Sequence, residues 1–172
     1  SSDLPLAFLA RPRRWLDAIT RYKGTISGAP NFAYEACANR IAQDELAGLD
    51  LSSWRVAFNG AEPVSPKTIA EFSERFASFG FRANAMMPVY GLAENCVGLA
   101  FPPKARAPII DRVDRDALTL RGQAESAAAG AKAIEFVACG QALEGHEIRI
   151  VDAGNRELGE RREGRQIGRA HV

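Results

Sequence analysis

Apolar and polar positions in residues 1–103 follow helical and strand periods in turn. From Pro12 to Tyr22 the apolar residues recur at helical spacing, which predicts a helix with Trp15, Ile19 and Tyr22 on one face. Pro12 is tolerated at its start, because a first helical turn has no use for the missing N–H. Lys23-Gly24 ends it. "TISGAPN" reads as a short strand running into a Gly-Ala-Pro break. Asn31 then reads as the N-cap of a helix to about Asp44, with Phe32, Cys37 and Ile41 available to pack. "WRVAFNG" is rich in β-formers and ends at Asn59-Gly60. Ser65 is placed to cap the next helix, with Pro66 at its first position. Ile69, Phe72, Phe76 and Phe79 share one side of that helix, and Gly80 closes it. "FRANAMMPVYG" returns as a strand.

The order is therefore helix, strand, helix, strand, helix, strand. Such alternation predicts an α/β fold, a parallel-sheet segment with flanking helices. Ligands bind such sheets at the carboxyl ends of the strands. Here the three ends are "SGAPN", "FNGAEP" and "VYGLAE", all glycine-containing and able to face one crevice. After Pro102-Pro103 the character changes. Residues 104–132 are polar or alanine-rich and read as a connector, with "AESAAAGAK" expected to be mobile. Residues 133–165 carry "AIEFVACGQ" and "HEIRIVDAGNREL", two strand-like runs, and predict the start of a small β-rich subdomain with "DAGN" as a hairpin-type turn.

Composition narrows the function classes. Twenty-two Lys and Arg face twenty-one Asp and Glu, so no electrostatic case exists for nucleic acid or an anionic membrane. No apolar run reaches membrane-spanning length, and the basic residues of "SSDLPLAFLARPRR" follow the apolar ones, the reverse of a secretory signal. Cys37, Cys96 and Cys139 show neither zinc spacing nor a disulfide framework, and a reducing cytoplasm is the simplest setting.

The chemistry concentrates in "MMPVYGLAENC", residues 86–96. A tyrosine at a strand end offers a flat apolar face suited to a purine, so Tyr90 is a candidate stacking group. Glu94 offers carboxylate oxygens to a hard cation such as magnesium. Gly60 would let a ligand approach the backbone closely. Taken alone, the motif reads more readily as a core aromatic and a helix-capping glutamate than as a ligand site. His146 has no identifiable carboxylate and nucleophile partners and reads as a surface or capping histidine. "RPRR" reads as a solvated helix start.

The combination is more specific. "FLARPRRWLDAITRYKGTISGAPNFAYE", "LDLSSWRVAFNGAEPVSPKTIAEFSERF", "PVYGLAE" and "CGQALEGHEIRIVD" resemble the adenylate-forming acyl-activating enzymes, specifically the long-chain fatty acyl-CoA synthetases and fatty acyl-AMP ligases, from about Leu6 to Glu163. The resemblance implies activation of a fatty carboxylate by ATP to an acyl-adenylate. The acyl group would pass to coenzyme A or to the phosphopantetheine of an acyl carrier protein, with a polyketide synthase as a further partner. It implies that Asn59, Gly60, Ala61, Glu62 and Pro63 line the adenine pocket, and that Tyr90 stacks on adenine with Gly91, Leu92 and Ala93 beside it. Glu94 would hold the magnesium that bridges the ATP phosphates. Phe32 and Tyr34 would be the aromatic groups bordering the acyl channel. One position departs from the family. Most relatives carry a threonine before the glutamate, where its hydroxyl meets the α-phosphate; Ala93 has only a methyl there.

The resemblance also implies parts outside these residues: a phosphate loop before residue 1, a ribose-holding aspartate downstream, and a C-terminal domain with its carboxylate-contacting lysine. The chain is accordingly expected to be an internal piece of a larger enzyme, inactive alone and prone to self-association through unpaired sheet edges. Residues 166–172 leave the family's pattern, and a non-native tail is one reading of them beside a natural terminus. The alternative function is a non-catalytic nucleotide-binding or structural module.

Overall fold

The computed structural model describes residues 4–93 and 97–170. Two helices open the chain, α1 (Leu4–Ala10) and α2 (Arg13–Tyr22). A parallel three-stranded sheet follows in the order β1 (Ile26–Ala29), β2 (Val56–Asn59), β3 (Met86–Pro88). Ala29 pairs with Asn59 and Asn59 with Pro88, so the three carboxyl ends are level. The crossovers are α3 (Asn31–Arg40) and α4 (Pro66–Ala77), which pack on one another.

Ser65 caps α4 as its sequence requires: its Oγ accepts from the Thr68 N–H at 3.3 Å, with Pro66 at the first helical position. Ile69, Phe72 and Phe76 then point into the core beside Tyr34, Trp54, Leu16 and Leu51. Trp54 is the hub. It is fully buried, meets Trp15, Phe72 and Phe81 edge-on, and satisfies its indole N–H on the Val56 carbonyl at 2.8 Å. The Arg75 guanidinium donates to the carbonyls of Ala38 and Ile41, fastening α4 to the end of α3.

The periodicity misplaced several details. Tyr22 is 71% exposed, and Leu16 occupies the buried stripe of α2 in its stead. Asn31 is the first residue of α3 rather than its cap; Pro30 holds the cap position in an extended conformation. The helix stops at Arg40, because Ile41 turns extended to bury its side chain, and a short 3-10 turn (Asp44–Leu46) takes up the remainder.

The second half is built of paired strands. β4 (Ala100–Phe101) pairs with β7 (Gln141–Ala142), and β5 (Ile110–Asp114) with β6 (Ala133–Val137). β8 (His146–Val151) pairs along its length with β9 (Arg165–Ala170), which takes in most of the stretch expected as a tail. The expected connector 104–132 contains β5 and α5 (Arg115–Arg121), whose N-cap Asp114 accepts from the Ala117 N–H at 2.8 Å. Within residues 124–132, the Ala124 N–H donates to the Arg161 carbonyl and the Ala127 N–H to that of Arg112, each at 2.9 Å. Asp152 builds the expected turn, its Oδ1 accepting from Gly154 and Arg156 amides. Among the described residues no helix is long and apolar enough to cross a membrane.

Candidate functional site at the strand ends

Two cavities open at the carboxyl ends of the sheet. The strand-end cavity, about 620 Å³, is lined by Ala29, Phe58, Gly60, Ala61, Tyr90, Gly91, Leu92, Ala93 and Phe101. The turn-side cavity, about 500 Å³, shares Ala61, Tyr90 and Gly91 and adds Glu62, Pro63, Phe136 and Cys139. Tyr90 is thus a wall common to both. Its backbone is fixed, donating to the Ala100 carbonyl at 3.1 Å and accepting from Leu99 and Ala100 at 2.9 Å, which aims a half-buried ring at the cavities.

Glycines are required at two points. A Cβ on Gly60 would lie 2.7 Å from the Val89 carbonyl oxygen, and one on Gly91 would overlap the Val97 carbonyl. Backbone strain gathers here as well. Ala61 has φ +65° and Val97, β-branched, φ +73°. Such conformations persist only where the surroundings hold them, and they cluster at ligand sites.

The turn between β2 and α4 is held from the start of α3. The Glu62 carboxylate accepts from the Phe32 N–H at 2.6 Å. The buried Asn31 carbonyl oxygen accepts from the Ser65 N–H at 3.0 Å and from Asn59 Nδ2 at 3.4 Å, while its own amide donates to Thr68 Oγ1 at 3.3 Å. Asn59 is wholly buried and lines neither cavity; its Oδ1 has no partner. It stands under the turn, not in the pocket.

Eight of the residues expected around the nucleotide therefore converge: Gly60, Ala61, Glu62, Pro63, Tyr90, Gly91, Leu92 and Ala93. The two aromatics expected at an acyl channel do not. Tyr34 is fully buried on the core side of α3 and donates its hydroxyl to the Phe58 carbonyl at 2.6 Å. Burial pushes its pKa well above 10.0. Phe32 is 46% exposed and packs edge-on against Phe8. Glu94 lies outside the described residues, and among those described no cluster of His, Cys, Asp and Glu could hold a metal. Sequence reading missed Phe58, Phe101, Phe136 and Cys139. Phe58 sat inside a strand pattern and the others at positions to which no role was assigned. The His146 ring meets the Glu144 carbonyl through Nδ1 at 3.1 Å.

A slot with an aromatic wall, a side-chain-free turn and mostly apolar surroundings fits a flat heterocycle joined to an apolar group. Comparison with known proteins agrees. Residues 5–167 match the family model described as AMP-binding enzyme, and the chain belongs to that family. It is 40% identical over 152 residues to the medium-chain-fatty-acid–(acyl-carrier-protein) ligase TtuA of Teredinibacter turnerae, a match covering 88% of this chain and 24% of the relative. It is likewise 40% identical over 152 residues to the 4-hydroxyphenylalkanoate adenylyltransferase of Mycobacterium tuberculosis, with the same coverage. A structure from a study of fatty acyl-adenylate ligases from E. coli and L. pneumophila superposes with a TM-score of 0.92 at 40% identity, over 95% of this chain and 30% of the other. The L. pneumophila fatty acyl-adenylate ligase in complex with acyl adenylate and pyrophosphate gives 0.81 at 38%, over 86% and 26%. The chain spans about a quarter of the length of these curated relatives.

Proposed function

We propose that these residues form the adenine- and acyl-binding centre of an enzyme that activates a fatty carboxylate with ATP. A carboxylate oxygen attacks the α-phosphorus, the bond from that phosphorus to the bridging oxygen breaks, and pyrophosphate leaves with the electron pair. The product is acyl-adenylate. One observation carries the reading: the Gly60–Pro63 turn and the Tyr90–Ala93 segment sit at adjacent strand ends and wall the same cavities.

The side chains have distinct tasks. Tyr90 stacks on adenine against the turn. Ala29, Phe58 and Phe101 give the alkyl chain an apolar wall that excludes water. The methyl of Ala93 cannot donate to the α-phosphate, so that contact falls to a backbone N–H of this segment or is absent. Magnesium supplies charge neutralisation on the phosphates when bound, and Glu94 is the residue proposed to hold it. The acceptor is the phosphopantetheine thiol of an acyl carrier protein in preference to coenzyme A, because relatives at 40% and 41% identity are named carrier-protein ligases.

The test is fatty-acid-dependent exchange of pyrophosphate into ATP by the intact protein. Exchange that depends on a fatty acid and is weakened in Tyr90→Ala supports the assignment. Exchange unaltered in a folded Tyr90→Ala removes the stacking role.

A further inference from the structure

We propose that the edge-on contact between Phe58 and Phe101 is the partition that sets how long an alkyl chain the site accepts. This rests on the fatty-carboxylate reading above. The rings lie 5.8 Å apart at 81°. Both line the strand-end cavity, and both also line a rear cavity of about 680 Å³. The rear cavity lies toward the other end of the same strands, walled by Ile26, Val56, Met87 and Leu143, with Arg55 and Lys104 also in its lining. Strand alternation explains the arrangement. Ala57 and Met86 turn into the helical core, so their neighbours Val56, Phe58 and Met87 turn to the opposite face.

The contact is built into the backbone. A Cβ on Gly28, the cross-strand partner of Phe58, would fall 2.5 Å from the Phe58 Cβ. A Cβ on Gly98 would fall 3.0 Å from two ring carbons of Phe101. The base of the Phe58 side chain and the ring of Phe101 each stand where a glycine leaves room. Gly140 presses on the backbone behind Phe101, where a Cβ would come within 2.1 Å of its carbonyl. The partition therefore has little freedom to retreat. An alkyl chain entering from the strand ends meets the ring pair before it reaches the rear cavity. A chain that stops at the rings is fully contacted; a longer one must displace them. Removing one ring joins the two cavities into one channel.

The experiment is the dependence of adenylate formation on acyl length, measured as kcat/KM of the intact protein across a series of straight-chain acids. Phe101 sits on a two-residue strand outside the helical core, so Phe101→Ala is the decisive variant. The expected result is an optimum moved to longer acids, with the long-to-short ratio of kcat/KM up about tenfold. Phe58→Trp should move the optimum the other way. A folded, active Phe101→Ala with the wild-type profile overturns the proposal and leaves the fatty-acid reading standing. If that variant does not fold, Phe58→Leu decides by the same criterion. A wild-type protein that adenylates no fatty acid overturns both together.

Discussion

The carboxylate of Glu62 accepts a hydrogen bond from the backbone N–H of Phe32 at 2.6 Å, joining the turn after β2 to the first turn of α3. The glutamate thus sits on a helix N-terminus, where its charge opposes the exposed amides. Its task is to hold the turn in place. Glu62→Ala is expected to cost about 1 kcal/mol, a fall in Tm of about 2–4 °C. Glu62→Gln keeps an acceptor oxygen and should lose less. Thermal unfolding of the two variants checks it, and equal losses would contradict a specific role for the carboxylate.

Asn31 is the second tether, and a buried one. Asn31→Ala leaves the Ser65 N–H and the Asn59 amide without an acceptor, at an expected cost of about 1–3 kcal/mol. Asn31→Asp retains acceptors for both and for the Thr68 hydroxyl. Urea unfolding should rank wild type, then Asp, then Ala.

Tyr90→Ala removes a ring from the wall shared by the strand-end and turn-side cavities. ATP binding should weaken by about 1–3 kcal/mol, roughly five- to 150-fold in KM, while Tyr90→Phe stays near wild type because the ring face remains. A large loss in Tyr90→Phe would show that the hydroxyl, not the face, is used.

The strand ends were legible because their chemistry is local. Ser65-Pro66 writes its own helix start, and Gly91 is demanded by the Val97 carbonyl six residues on, whereas Gly60 is demanded by Val89 at the neighbouring strand end. Side-chain direction was less legible. "NFAYE" places Phe32 and Tyr34 two apart on a helix, so they cannot share a face, and only the position of Trp54 and Phe72 decides that Tyr34 goes inward. Asn31 read as a cap because such residues usually are. Pro30 holds the cap position in extended backbone, and the asparagine's acceptor is taken by Ser65 from 34 residues away. β5 and α5 escaped notice because their strand and helix are short and half-exposed, with weak periodicity.

The core also sets a response to alkali. Burial pushes the Cys37 thiol from 9.0 up to about 12, partly offset by Arg75, and raises Tyr34 well above 10.0. Both groups are neutral when protonated. Above pH 9 the unfolded chain releases protons that the folded chain keeps, so stability is intact below that pH and falls as pH rises toward the folded values. Each group contributes a slope of up to about 1.4 kcal/mol per pH unit. Urea titrations from neutral pH to about pH 11 should show the decline, and Cys37→Ala should make it shallower. An unchanged slope in that variant would contradict a buried neutral thiol.

The most direct test of the function is to identify the adenylate itself. The intact protein is incubated with ATP, magnesium and an equimolar mixture of fatty acids and amino acids, and the products are separated by mass. The predicted result is acyl-adenylate from fatty acids, with matching pyrophosphate and no aminoacyl-adenylate. Adenylates of amino acids, or none from any fatty acid, would contradict the account.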